Sequence, residues 1–276
     1  MTLPATIESS FFLPFELLTG SRRFAFRALY HYCRTVDDGV DGPVSAADAR
    51  AHLLFWHDEL ERMYDGMPTH PVALALQPHI RTYNLSHTHF RDMLAGFEMD
   101  YSGIMRKPGL EVLNLYCYRV ASTVGLLCCE IMGCTQSSSR QFAIQLGKAV
   151  QLVNILRDIA EDADQNRIYL PRELLQRYGL DHASANTLLA HGDALRSVCA
   201  ALADRAYDHF RQASLLVHRQ DRPRLLPALI MRDIYMRLLE KLEQAGWLLP
   251  QGEKARVTKP EQWVLLITGL RHRFLS

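Results

Sequence analysis

Gln151-Leu-Val-Asn154-Ile-Leu-Arg157-Asp158-Ile-Ala-Glu161-Asp162 decides the reading of this 276-residue chain. Positions 151, 154, 158 and 162 lie three, four and four apart, so on a helix two amides and two carboxylates share one face. The residues between them, Leu152, Val153, Ile155, Leu156 and Ile159, are apolar. A helix with apolar flanks packs on most sides, and its polar stripe then faces an enclosed space. A second stretch repeats the pattern. In Tyr30-His-Tyr-Cys-Arg34-Thr-Val-Asp37-Asp38-Gly-Val-Asp41, positions 30, 34, 37 and 41 align a phenol, a guanidinium and two carboxylates, with Asp38 one position off the stripe.

Two carboxylates one turn apart repel each other, and enclosing such a pair is costly unless cations compensate. A purely structural helix gains nothing from the arrangement, and here it occurs twice. The compensating ion expected is Mg²⁺, a hard cation that takes one or two carboxylates together with substrate phosphates and water. Bridging ions turn two acidic walls into a clamp for a diphosphate, and Arg34, Arg157 and Arg167 add direct positive charge for its oxygens. No glycine-rich phosphate loop is present to cradle a nucleotide.

Working outward, apolar residues recur three or four apart between breakers, as at Val112, Leu115, Tyr116, Val120, Val124 and Leu127, while alternating strand-type runs are scarce. This predicts an all-α bundle of eight to ten helices, with main stretches near 21–41, 46–65, 87–103, 110–133, 137–163, 193–218, 225–246 and 259–272. With no polar linker between them, residues 1–276 are expected to form a single domain. The 31 basic and 30 acidic residues nearly cancel, which gives no electrostatic reason to expect nucleic acid as a partner. The six cysteines form no zinc-like spacing and read as reduced core thiols. No apolar run reaches the length of a membrane span, and the N-terminus lacks a signal-peptide pattern, so a soluble, cytoplasmic protein is expected. Trp263 to Phe274 mixes apolar residues with Arg271, His272 and Arg273. That composition allows peripheral contact with a bilayer, but it better suits a last bundle helix whose basic end complements its dipole.

The motifs YHYCRTVDDGVD (30–41), YCYRVASTVG (116–125) and QLVNILRDIAEDADQNRIYLP (151–171) resemble those of the squalene/phytoene synthase family, over nearly the whole chain. Within it the likeness is nearest to bacterial presqualene diphosphate synthases of hopanoid type, carried by the short SSFF start, FEMDYSG (97–103), NRIYLPRELL (166–175) and LEKLEQAGW (239–247). The resemblance implies an isoprenoid-synthase helical fold around a central cavity and a Mg²⁺-dependent, head-to-head condensation of two farnesyl diphosphates. It implies that Asp37, Asp41, Asp158 and Asp162, with Asn154 beside them, hold two or three Mg²⁺ ions, and that Arg34, Gln151 and Asn154 place the diphosphates. By the same match Tyr30, Arg34, Tyr116, Arg157 and Tyr235 become candidate catalytic residues, and Ser10, Phe11, Phe15, Arg167, Tyr169 and Arg256 candidate substrate contacts, Phe11 and Phe15 along the prenyl tunnel. A downstream squalene-pathway enzyme is the implied recipient of the product.

One departure is Gly39, where the family often carries a larger residue; with Gly42-Pro43 close behind, it marks the end of the first helix. Phytoene or dehydrosqualene synthases share every motif above, differing in tunnel length or in the fate of the cyclopropane. A full squalene synthase would add NADPH-dependent reduction. A non-catalytic relative would be expected to lose the carboxylates or the flanking Arg and Asn, all of which are kept.

Overall fold

The three- and four-residue apolar spacing is expressed as helix throughout. The computed structural model describes residues 13–40, 45–248 and 253–274, and among them there are thirteen α-helices and no strand. They are α1 (Ser21–Asp38), α2 (Ala46–Asp65), α3 (Pro71–Tyr83), α4 (His87–Tyr101), α5 (Leu110–Cys117), α6 (Thr123–Met132), α7 (Ser137–Arg157), α8 (Ile159–Asp164), α9 (Arg172–Arg177), α10 (Ala185–Leu188), α11 (Gly192–Leu215), α12 (Leu226–Gln244) and α13 (Lys259–Phe274). A short 3₁₀ turn, Leu13–Leu17, precedes them, and a π-helical turn, Tyr118–Ser122, joins α5 to α6.

Local chemistry sets the boundaries. The Ser45 hydroxyl accepts from the Asp48 amide at 3.1 Å and starts α2, which Gly66 ends at φ 88°. Three departures from the sequence expectation have physical causes. The stretch read as one helix over 137–163 breaks at Asp158, whose φ of −102° and ψ of 10° turn the chain between α7 and α8. Helix α3 lies outside the expected stretches; its internal Pro78 sits on the exposed face, where water can satisfy the carbonyl left without a donor. The segment Leu110–Met132 is long and apolar enough to cross a membrane, contrary to the expectation from uninterrupted runs, yet half of its apolar window is buried against other helices. A helix that is apolar on most sides is also what a central core position requires.

That segment and α7 form the middle of the molecule. α7 packs most extensively along α11 on one side and against α5, the π-turn and α6 on the other, with α12 beside it. The approach to the π-turn depends on Gly147. A Cβ there would lie 2.5 Å from the Ser122 Cα, and Ser122, fully buried, donates to the Ile144 carbonyl at 2.8 Å. On the far side of α1, Tyr32 meets the rings of Trp56 and Phe90 edge-on at 5.1 and 5.3 Å. Gly39 caps α1, and a side chain there would collide with the His52 ring of α2, so a close approach enforces the glycine.

Two buried carboxylates pin loops to this frame. Glu59 accepts from the Thr69 and His70 amides and the Thr69 hydroxyl. Asp221 accepts from the Thr135 and Gln136 amides and the Ser139 hydroxyl, each at 2.8 Å, and so ties the start of α7 to the turn before α12. Burial alone would raise both acids, but the converging donors override it and hold them below the usual carboxylate range. A depressed folded-state pKa contributes stability that is present above the unfolded value and is lost as pH falls through the folded one. Asp221→Asn is therefore expected to lower unfolding free energy at neutral pH by about 1–3 kcal/mol, with the gap to wild type narrowing below the ordinary aspartate pKa. Urea titrations at neutral and acidic pH check this, and an equal gap at both would sink it.

Candidate active site

Both acidic stripes open into one cavity of about 430 Å³. α1 contributes Tyr30, Arg34 and Asp37; α5 contributes Tyr116; α7 contributes Gln151, Asn154 and Arg157; and Tyr235 comes from α12. Asp158 lies at the break after α7, and Asp162 follows on α8. After α8 the chain doubles back, with the Arg167 amide donating to the Asp162 carbonyl at 2.7 Å, which brings Arg167 and Tyr169 onto the same walls. The break at Asp158 thus bends the second stripe around the cavity mouth.

Each acidic wall carries its own guanidinium. Arg34 lies 3.6 Å from Asp37 and 2.7 Å from Asp38. Arg157 grips Asp158 through two nitrogens, at 2.8 and 2.5 Å. Burial works against the Arg157 charge, but the paired carboxylate more than offsets it and holds the guanidinium above its usual value. Burial likewise pushes the Tyr235 phenol up, opposed by the Arg157 charge beside it.

The cavity passes into a smaller chamber of about 160 Å³ that shares Val120, Val124, Cys128, Gln151, Asn154 and Tyr235 with it. Beyond these the chamber is almost wholly apolar, lined by Phe15, Met132, Phe142, Leu146, Val150 and Met231 among others. Phe15 is buried and stacks on Phe26 with ring centroids 3.9 Å apart. A charged mouth therefore leads into an almost wholly apolar interior.

The donors at the mouth suit a hard divalent ion. The Asn154 Oδ1 is buried without a hydrogen-bond partner, an uncompensated acceptor beside Asp158 and Asp162. Among the described residues no three acidic, histidine or cysteine side chains converge into a metal cage. Asp37, Asp158, Asp162 and Asn154 offer oxygen donors only, the chemistry that a hard divalent cation takes together with phosphates and water. The thiol lining the mouth, Cys33, is pushed up to about 12 by burial and by the charge of Asp37, so it stays protonated and offers no soft ligand.

Not every expected residue reaches these walls. Ser10, Phe11 and Asp41 lie outside the described residues. Arg256 is exposed and is absent from both linings; its carbonyl accepts from Lys241 at 3.1 Å. Two positions earlier, Lys254 lies 3.6 Å from Asp158 and pairs with Glu161. The sequence reading also missed Asp100, the aspartate of FEMDYSG, which lines the cavity from the last turn of α4. The available signal was a carboxylate at a helix C-terminus, where it opposes the dipole.

A helical bundle closed around a charged mouth and an apolar interior is the architecture of a prenyltransferase with the isoprenoid-synthase fold. Residues 5–261 match the model of the family described as squalene/phytoene synthase, and the chain belongs to that family. It is similar to a presqualene diphosphate synthase of Rhodopseudomonas palustris, 38% identical, with 89% of this chain and 88% of the relative covered. It is also similar to a 15-cis-phytoene synthase of Synechococcus elongatus, 35% identical over 89% of this chain and 83% of the relative. In structure it resembles a dehydrosqualene synthase crystallised with a ligand, at a TM-score of 0.80 and 26% identity, covering 98% of this chain and 93% of the other.

Because the Asn154 oxygen is already uncompensated, Asn154→Leu is expected to leave the stability of the ligand-free protein within about 1 kcal/mol of wild type while reducing diphosphate release at least about tenfold. Thermal unfolding together with a phosphate-release assay tests the pair. A large loss of stability with activity retained would contradict the assignment.

Proposed function

We propose that the chain condenses two farnesyl diphosphates head to head into presqualene diphosphate, releasing one diphosphate, with two or three Mg²⁺ ions. The observation that carries the reading is the junction of the carboxylate-lined mouth with the apolar chamber, in a chain 38% identical to a presqualene diphosphate synthase. Residues 1–276 act in it as a single domain. Asp37, Asp158 and Asp162, with Asn154, are the residues that would hold the ions, and Asp41 completes the first motif. When bound, the ions supply positive charge against the diphosphate oxygens as the C–O bond breaks.

The chain's own groups do the rest. Arg34, Arg157 and Arg167 donate to phosphate oxygens, and Gln151, with the phenols of Tyr30 and Tyr235, fixes the reacting end at the junction. The C1–O bond of one substrate breaks, its electron pair leaving with the diphosphate. The C2=C3 pair of the second chain forms the new bond to C1, and loss of a proton closes the cyclopropane. The apolar chamber keeps water from the cation and holds two flexible chains in register. The likeness to a phytoene synthase favours a second reading, in which the same residues serve a longer substrate or a different fate of the cyclopropane.

Mass analysis of products from farnesyl against geranylgeranyl diphosphate, with Mg²⁺ and with or without NADPH, separates these readings. A C30 cyclopropyl diphosphate without NADPH is expected. Asp37→Asn and Asp158→Asn are each expected to cost at least about 2.7–4 kcal/mol in barrier; near-wild-type turnover of both at limiting Mg²⁺ would overturn the metal assignment. Peripheral membrane contact and delivery to a downstream squalene-pathway enzyme also belong to the proposal. Trp263, Val264 and Ile267 of α13 are exposed, as an interfacial helix requires. Flotation of the full chain with anionic vesicles checks that contact, and a chain that stays at the bottom of the gradient counts against it.

A further inference from the structure

Asp100 stands apart from both acidic motifs. It comes from α4, in the last turn, where Glu98 adds a second negative charge and no basic residue complements the dipole. The position is electrostatically unfavourable for the helix itself, so its reason has to be sought in what the carboxylate touches. One oxygen, Oδ1, accepts from the Tyr169 hydroxyl at 2.8 Å; the other, Oδ2, accepts from the Tyr116 hydroxyl at 3.3 Å. The two phenol rings, both buried, stack with centroids 5.5 Å apart and planes 21° from parallel. A single carboxylate therefore bridges two rings that arrive from sequence positions 53 residues apart (169 − 116). Burial, and after it the charge of Asp100, pushes both phenols above their ordinary range, so both stay protonated as donors.

The position of this bridge gives it a further consequence. On one side lies the reaction cavity. On the other lies a polar side cavity of about 360 Å³, lined by Arg106, Gln165 and Asn166 among others. Val40, Asp100, Arg167 and Tyr169 line both. The Asp100–Tyr169 hydrogen bond thus lies on the wall that this polar side cavity shares with the reaction cavity, where the proposed allylic cation forms.

We propose that Asp100 is a positioning residue: by bridging Tyr116 and Tyr169 it closes the partition against water from the side cavity and holds the stacked rings toward the cation. This rests on the cation-forming reaction proposed above. A fixed ring face attracts a nearby cation through its quadrupole, and a phenol whose proton is committed to a carboxylate does not offer that proton to the cavity. Asp100 changes no bond; it decides whether the cation meets the second prenyl chain or water.

The test is product partition. Purified full chain is incubated with farnesyl diphosphate and Mg²⁺ in H₂¹⁸O, and diphosphate release, coupled C30 product and ¹⁸O-labelled C15 alcohol are measured together. Asp100→Asn is expected to keep diphosphate release within about threefold of wild type while the ratio of coupled product to labelled alcohol falls about tenfold, equivalent to about 1.4 kcal/mol. Tyr116→Phe/Tyr169→Phe, which keeps both rings and removes both donors, is expected to shift the ratio in the same direction. Combining it with Asp100→Asn is expected to add little, because one interaction is being removed twice. An unchanged ratio in Asp100→Asn, or multiplicative effects in the combination, overturns the proposal. If Asp100→Asn does not fold, the double tyrosine variant decides it by the same ratio. Failure of the underlying reading is distinguishable, since wild type would then release no diphosphate from farnesyl diphosphate.

Discussion

Carboxylates from two separate helices share one enclosed space, and the rest of the molecule is arranged around the cost of putting them there. Without compensation, negative charges facing each other across a partly desolvated cavity would drive the walls apart. Each wall therefore brings a counter-charge from its own neighbourhood: Arg34 beside Asp37, and Arg157, backed by Lys254, on Asp158. The frame has to be stiff for this to hold. It is made so by the glycine-mediated approach of α7 to the π-turn and by the Asp221 clasp at the base of α7. Stability and chemistry use the same helix: its apolar flanks build the core and its polar stripe builds the mouth.

The polarity gradient follows from that division. α7 presents Gln151 and Asn154 at the mouth and Leu146 and Val150 deeper in, so the change from polar to apolar occurs within about two turns of one helix. The π-turn has a related effect on the opposite wall. Its extra residue shifts the helical register, so that Val120 and Val124 line both spaces while Leu115, on the expected apolar stripe, points outward.

What was legible in the sequence was whatever repeats along one helix. The stripes at 30, 34, 37 and at 151, 154, 158, 162 announced a shared polar face by spacing alone, and the described members of both stripes do meet in one cavity. The all-helical class was legible for the same reason. What was not legible depends on chain reversal. The break at Asp158 leaves the 3-4-4 spacing intact in sequence but bends it in space. Asp100 is one acid in a helical run until Tyr116 and Tyr169 fold onto it. In the segment 253–258, which has no helical period, Lys254 rather than Arg256 is the side chain that reaches the second motif. Helix α3 falls outside the expected stretches and carries Pro78 on its exposed face, where solvent replaces the lost bond.

The bidentate grip of Arg157 on Asp158 carries one more implication, given the reaction proposed. A lone cation arriving at the mouth competes with a guanidinium already in place, and a lone anion meets two acidic walls. Both arriving together can swap partners, the carboxylate passing to the cation and the freed guanidinium to the anion. Under that proposal binding would be mutually reinforcing: each ligand's apparent affinity would rise with the concentration of the other.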